Sequence, residues 1–178
     1  MTISKLDKVV ALVVIDMHKG IGAPPTIHLA SKITERVAQL ACAFRNLGLP
    51  VGVLVNVAGG APGRTEASHS FDPPADWTEL VPELERHPRD HTVAKPQGDA
   101  FHDTLLHRFL RRRGVTQVVL TAIPTSIGVE SIARNAHGHG YHVALVVDAM
   151  SDWMRTRTDI ASRKSSRFLV RRSRQRKC

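Results

Sequence analysis

"KVVALVVID", residues 8–16, decides the fold. From Val9 to Ile15 the run is apolar without a break and rich in β-branched residues. A strand with one wet face would alternate polar and apolar residues. A run with no alternation is a strand buried on both faces, as in a parallel sheet covered by helices. Seven apolar residues suit a strand and are far short of the roughly eighteen a membrane span needs. The run ends on a carboxylate, Asp16.

Working outward, Ile33, Val37, Leu40, Phe44 and Leu47 recur at four- and three-residue steps and predict an amphipathic helix over 27–47. Gly48 stops it, with Pro50 just beyond. "VGVLVNV" (51–57) reads as a second strand. Residues 58–90 are rich in Gly, Pro and polar residues and read as a long loop, with a short helical turn near Trp77–Leu84. "DHTVAK" (90–95) is a short third strand, and 102–113 a helix whose last turn holds Arg111–Arg113, cations suited to its C-terminal dipole. "VTQVVLTAI" (115–123) is a fourth strand, 126–139 a helix and "YHVALVVDAM" (141–150) a fifth strand. Strand and helix alternating in this way predict an α/β chain with a doubly wound, right-handed parallel sheet.

The net charge of +9 is located, not spread. Residues 1–152 balance 15 basic against 15 acidic side chains, whereas 153–178 hold 10 basic residues and Asp159 alone. The basicity belongs to a tail and not to a groove on the body, so nucleic acid is an expected partner only through that tail. The N-terminus shows no signal-peptide pattern, and Cys42 and Cys178 lack metal or redox spacing, which together suit a cytoplasmic protein. Cys42 falls within the helical pattern and is expected in the core.

Ligands of doubly wound sheets bind beyond the carboxyl ends of the strands. Asp16, Lys95 and the turn Pro124–Gly128 all emerge there. A carboxylate at the end of an apolar strand needs a partner, and Lys95 leaves the sheet at the same edge. Spacing alone leaves open a catalytic pair, a structural ion pair or two unrelated strand-end charges.

Three blocks in order narrow this: "ALVVIDMHKGI" (11–21), "VAKPQGDAFHDTLL" (93–106) and "TSIGVESIARNAHGHGYHVALVVDAMSD" (125–152). Together they resemble the isochorismatase-like hydrolases of the cysteine hydrolase superfamily, over residues 8–152. The resemblance implies a three-layer α/β/α, Rossmann-like fold with a mostly parallel sheet of five to six strands. It also implies an Asp–Lys–Cys triad in the amidase members, a cis peptide four residues before the cysteine, and two backbone oxyanion donors. Asp16 and Lys95 match the Asp and Lys. Gly128 falls where the cysteine would be, and the cis bond would be Ile123–Pro124, where proline makes it least costly. Proline has no N–H, so one oxyanion donor is also missing. Acyl transfer is therefore not expected. Isochorismatase-type members cleave a vinyl ether with the Asp as acid toward a substrate carbon, and that chemistry needs no thiol.

Asn56 and Phe101 are candidates to line the substrate site, with strand capping and core packing as their alternatives. Pro124 and Thr125 are expected to shape it, and Thr125 and Ser126 also suit helix N-capping. The histidines, His18 among them, show no convincing metal spacing, so no metal and no cofactor are expected. "GGAPGR" (59–64) lacks the ending of a phosphate-binding P-loop.

Residues 153–178 show neither helical nor strand period and read as a basic, disordered tail or as the product of a frameshift. Codons for Asp152–Ser166 read one base out of step can give Leu-Asp-Ala-His-Ala-His-Arg-His-Ser-Val-Glu-Lys-Val-Phe, which resembles the helix expected there. The functional expectations are a cytoplasmic small-molecule hydrolase forming a homo-oligomer, a non-catalytic ligand-binding or oligomer-forming relative, or a nucleic-acid binder acting through the tail.

Overall fold

The computed structural model describes residues 6–22, 25–57, 73–85, 87–153 and 170–173. β1, Val10–Ile15, is buried along its whole length. Its side chains feed two cores in turn. Ala11, Val13 and Ile15 face one side, while Val10, Leu12 and Val14 face the other. That double burial is why the sequence shows no alternation.

The other strands are β2 (Val51–Asn56), β3 (His91–Lys95), β4 (Gln117–Ala122), β5 (His142–Met150) and β6 (Val170–Ser173). Their spatial order is β3-β2-β1-β4-β5-β6, and every neighbouring pair is parallel. The helices are α1 (Lys19–Gly22), α2 (Ala30–Asn46), α3 (Leu106–Arg112) and α4 (Glu130–Gly138). α2 covers one face of the sheet through Ile33, Val37, Ala41 and Phe44. Full burial of a side chain such as Ile33 or Val37 contributes about 1.5–3 kcal/mol relative to exposure. α3 and α4 cover the other face with Leu106, Leu110, Ile132 and Ala136. The result is the α/β, three-layer arrangement expected.

Several boundaries differ from the sequence reading, each for a local reason. Leu47 is 73% exposed because α2 has ended and the chain turns at Gly48, whose φ is +67°. Cys42 is exposed, not in the core. It lies about 100° around the helix from the buried Ala41, off the packed face. α3 starts at Leu106 and not at 102, because the Asp99 carboxylate accepts hydrogen bonds from the Phe101 and His102 N–H groups and forms a turn instead.

The short helix expected near Trp77–Leu84 is a strap in the structure. Its N–H and C=O groups pair across the end of β1, with Lys19 N to Glu79 O at 2.8 Å, Val81 N to Met17 O at 3.2 Å and an antiparallel bridge between His18 and Leu80. Pro82, with no N–H, is incompatible with helical pairing there. The helix expected over 126–139 opens with one π-helical turn, Thr125–Val129, before α4. In the basic tail, Val170–Ser173 is not disordered but adds β6 to the edge of β5, with Val143 in register with Val170. Tail residues 154–169 and 174–178, the frameshift expectation over 152–166 apart from its first two residues, and residues 58–72 and 86 of the long loop, "GGAPGR" among them, lie outside the described residues.

Candidate active site

The strand order sets the place. From β1 the chain builds outward through β2 to β3, and from β4 it builds the opposite way through β5 to β6. The reversal lies between β1 and β4, so a crevice opens at their carboxyl ends. Asp16 is the first residue after β1 and Pro124 the second after β4. Asp16 adopts a φ of +55°, a conformation few side chains tolerate and Asp tolerates better than most. This turn leaves its carboxylate buried, 3% exposed, at the sheet edge.

Lys95 ends β3, with β2 lying between it and β1. Adjacent strands are about 4.8 Å apart, so roughly 10 Å separates the two backbones. A lysine is long enough to cross that gap. Its Nζ lies 2.8 Å from Asp16 Oδ2 and 3.1 Å from the Gln97 carbonyl oxygen, and its side chain is wholly buried. The two strand-end charges are thus one buried ion pair.

Gly128 stands beside this pair. A Cβ built on it would lie 3.4 Å from Asp16 Oδ2 and 3.0 Å from Ile15 Cγ2. Any side chain at this position would project onto the carboxylate. The turn that carries it is braced from β5. Ile123–Pro124 is cis, the Thr125 N–H and hydroxyl both donate to the Ser151 carbonyl at 2.9 and 2.8 Å, and Ser126 N–H donates to Asp152 Oδ2 at 2.7 Å. Ser151 and Asp152 are fully buried. They also hold the segment before α2, through Asp152 O to Ile27 N at 2.9 Å and Ser151 Oγ to His28 N at 3.2 Å. Thr125 therefore shapes the site through its backbone turn while its hydroxyl is spent on Ser151. It is not a helix cap: Pro124 holds the N-cap position, and no side-chain cap bond forms.

Phe101 lies in another environment, half-buried in a cluster with His107, His139 and Tyr141, its ring stacked on His139 at 5.0 Å. Asn56 is in register with Lys95 at the end of β2; its side chain lies outside the described residues. No group of three or more His, Cys, Asp or Glu among the described residues could hold a metal ion. No helix among them is long and apolar enough to cross a membrane.

The sequence reading did not single out His18 or the Ser151–Asp152 brace. His18 is completely buried, and its Nδ1 lies 2.7 Å from the Trp77 carbonyl oxygen. Burial pushes its pKa down, the nearby Lys95 charge adds to that, and the Trp77 carbonyl opposes both. Asp16, Met17, His18, Thr34, Val81 and Ile123 help to line a cavity of about 350 Å³ at this end of the sheet. A carboxylate two residues before a buried histidine is the one signal that could have drawn attention to it.

Comparison with known proteins gives the family. Residues 10–169 match the isochorismatase domain, a match that runs beyond Asp152 into the basic tail. The isochorismatase family protein YwoC of Bacillus subtilis (strain 168) is 41% identical over 149 residues, covering 79% of this chain and 77% of its own. Streptothricin hydrolase of Streptomyces noursei is 32% identical over 140 residues, 78% of this chain and 48% of its own. The structure of an isochorismatase family protein from Burkholderia thailandensis superposes with a TM-score of 0.90 at 35% identity, covering 95% of this chain and 93% of that one. The chain is a member of the isochorismatase family of hydrolases, within the cysteine hydrolase superfamily.

Proposed function

We propose that this chain hydrolyses a small molecule through the Asp16–Lys95 pair, without a cysteine nucleophile. The observation that carries the reading is the buried 2.8 Å contact between Lys95 Nζ and Asp16 Oδ2, at the switch point of the sheet and against Gly128. The likeness to streptothricin hydrolase supports hydrolysis as the reaction class. Gly128 has no sulfur with which to form a thioester. Pro124 has no N–H for an oxyanion, and one missing donor of that kind costs about 2.7–4 kcal/mol of transition-state stabilisation.

These two residues favour a route with no acyl-enzyme. Asp16 in its acid form gives its proton to a substrate carbon, as in cleavage of a vinyl ether. Water adds to the resulting oxocarbenium ion and returns a proton to the carboxylate, and the hemiketal so formed collapses to a carbonyl compound and an alcohol, breaking the ether C–O bond. Lys95 holds the carboxylate in place and balances its charge. A side chain in place of Gly128 would crowd Ile15 and Asp16. The described residues that line the cavity offer no cluster of cations for a dicarboxylate, so a substrate of lower charge than isochorismate fits better. No cofactor is needed by this route, and a homo-oligomer in the cytoplasm is the proposed working form.

The test is a hydrolase screen with vinyl ethers, esters and amides, run on the wild type and Asp16→Asn. Turnover by the wild type should fall about 10²–10⁴-fold in the variant, with its circular dichroism unchanged. Retained turnover in Asp16→Asn would sink the mechanism. No turnover of any substrate by the wild type would favour a non-catalytic ligand-binding or oligomer-forming role.

A further inference from the structure

We propose that a second cavity, at the amino ends of β2 and β3, binds a small organic phosphate monoester through the exposed guanidinium groups of Arg89 and Arg113. The inference goes beyond the hydrolase reading and does not rest on it.

The cavity holds about 330 Å³, at the lower end of the range for small-molecule sites. Its wall comes from the turn between α2 and β2 (Gly48–Val51), the segment that enters β3 (Pro88–His91), and Phe109 and Arg113 on and just after α3. His91 opens β3 and Lys95 closes it, so about 13 Å of strand separates this cavity from the Asp16–Lys95 pair. The two lie at opposite ends of the sheet.

Charge sets the ligand. Arg45, Arg89 and Arg113 all line the cavity, and Asp90 is the one carboxylate among the described lining residues. Asp90 is spent on Arg45, whose Nε and Nη2 donate to its two oxygens in a largely buried pair. Neither Arg89 nor Arg113 has a carboxylate partner among the described residues. His91 adds no charge at neutral pH, because burial lowers its pKa and the Arg113 charge lowers it further. Two guanidinium charges are left unbalanced, which matches a phosphate monoester carrying about −1.5 to −2 at neutral pH.

Both groups are reachable, since Arg89 and Arg113 are exposed, and both are held in place. Arg89 Nη2 donates to the Arg45 carbonyl oxygen at 3.4 Å. Arg113 Cζ lies 4.4 Å from the centroid of the Phe109 ring, which itself stacks on His91 at 4.1 Å. Seated on a ring one helical turn back, the Arg113 guanidinium keeps its N–H groups for another partner. Planar forks of this kind match phosphate oxygens and prefer them to a point contact. Leu49, Pro50 and Pro88 add an apolar wall against which the organic part of the ligand packs.

The test titrates the full chain at neutral pH and low salt with phenyl phosphate, inorganic phosphate and benzoate. Calorimetry reads affinity, and NMR of the arginine Nε resonances reads location. Phenyl phosphate should bind saturably and more tightly than either of the other anions, and should shift the Arg89 and Arg113 resonances. Arg89→Gln and Arg113→Gln should each weaken it about tenfold or more, with circular dichroism unchanged. Arg134→Gln, which removes an exposed cation on α4, should leave the affinity unaltered. No saturable binding of phenyl phosphate up to its solubility limit, equal affinity for benzoate or inorganic phosphate, an affinity that survives both cavity substitutions because the basic tail carries it, or an equal loss in Arg134→Gln would each overturn the assignment. Asp16→Asn should bind phenyl phosphate as the wild type does, so a failed hydrolase reading and a failed anion site show separately.

Discussion

Replacing Lys95 by Met tests whether the ion pair is as buried and as coupled as its geometry requires. Two unit charges 2.8 Å apart attract by about 6 kcal/mol at an effective dielectric constant of 20. Removing both from water offsets much of this, so the intact pair adds little net stability. Removing only the cation is different, because the Asp16 carboxylate remains buried without its ammonium. Such a loss costs about 3–5 kcal/mol, a large fraction of the 5–15 kcal/mol that holds a typical domain folded. With a urea m-value of about 2 kcal/mol/M, the unfolding midpoint should fall by roughly 1.5–2.5 M. Tryptophan fluorescence or circular dichroism follows the transition. The double variant Asp16→Asn/Lys95→Met carries neither charge and should recover more than half of the loss. A single-variant loss below about 1 kcal/mol, or a double variant no more stable than Lys95→Met, would refute the reasoning.

Gly128→Ala places a methyl group 3.0 Å from Ile15 Cγ2 and 3.4 Å from Asp16 Oδ2, so stability should fall by about 1–3 kcal/mol in urea unfolding and turnover should fall further than stability alone explains. His18, His91 and His107 all have pKa values below the ordinary 6.5, each chiefly through burial. The unfolded chain then binds more protons just below pH 6.5, so stability should rise with pH through that window and fall on acidification. Urea midpoints at pH 7.5 and 5.5 read this directly; a flat profile, or one unchanged in His18→Asn, would contradict the role of the buried rings. Deleting 153–178 should abolish any salt-dependent binding to DNA or RNA in electrophoretic shift assays, and the loss of β6 should expose the edge of β5 and promote aggregation seen by light scattering. For the same segment, sequencing the gene across Asp152–Ser166 decides whether the out-of-step codons are present.

Much of the fold was legible because its signals are local. The unbroken apolar run ending at Ile15 reports burial on two faces, and the spacing of Ile33, Val37 and Phe44 reports a helix with one dry side. Where the reading missed, a competing local contact had intervened. The Asp99 turn delayed α3, and pairing with residues 17–19 drew the Trp77–Leu84 segment into a strap. The candidate site was legible in part. Asp16, Lys95 and Gly128 could be named from their places at strand ends and from the order of three blocks. Phe101 could not be separated from core packing, because an aromatic residue between strand and helix serves either purpose, and here it stacks on His139.

The sequence by itself determined the parallel sheet, the strand ends that carry charge, and the absence of both sulfur and one donor at the Pro124–Gly128 turn. These follow from side-chain period and from the atoms a residue owns, which need no partner to be known. Only the tertiary structure decided that Lys95 reaches across β2 to Asp16, that Ser151 and Asp152 brace the turn, and that His18 is locked by Trp77 with one nitrogen left to the buried interior. Each of those facts joins residues from 26 to 79 positions apart along the chain. Contacts of that range depend on how strands are ordered in space, and no periodicity along the chain encodes them.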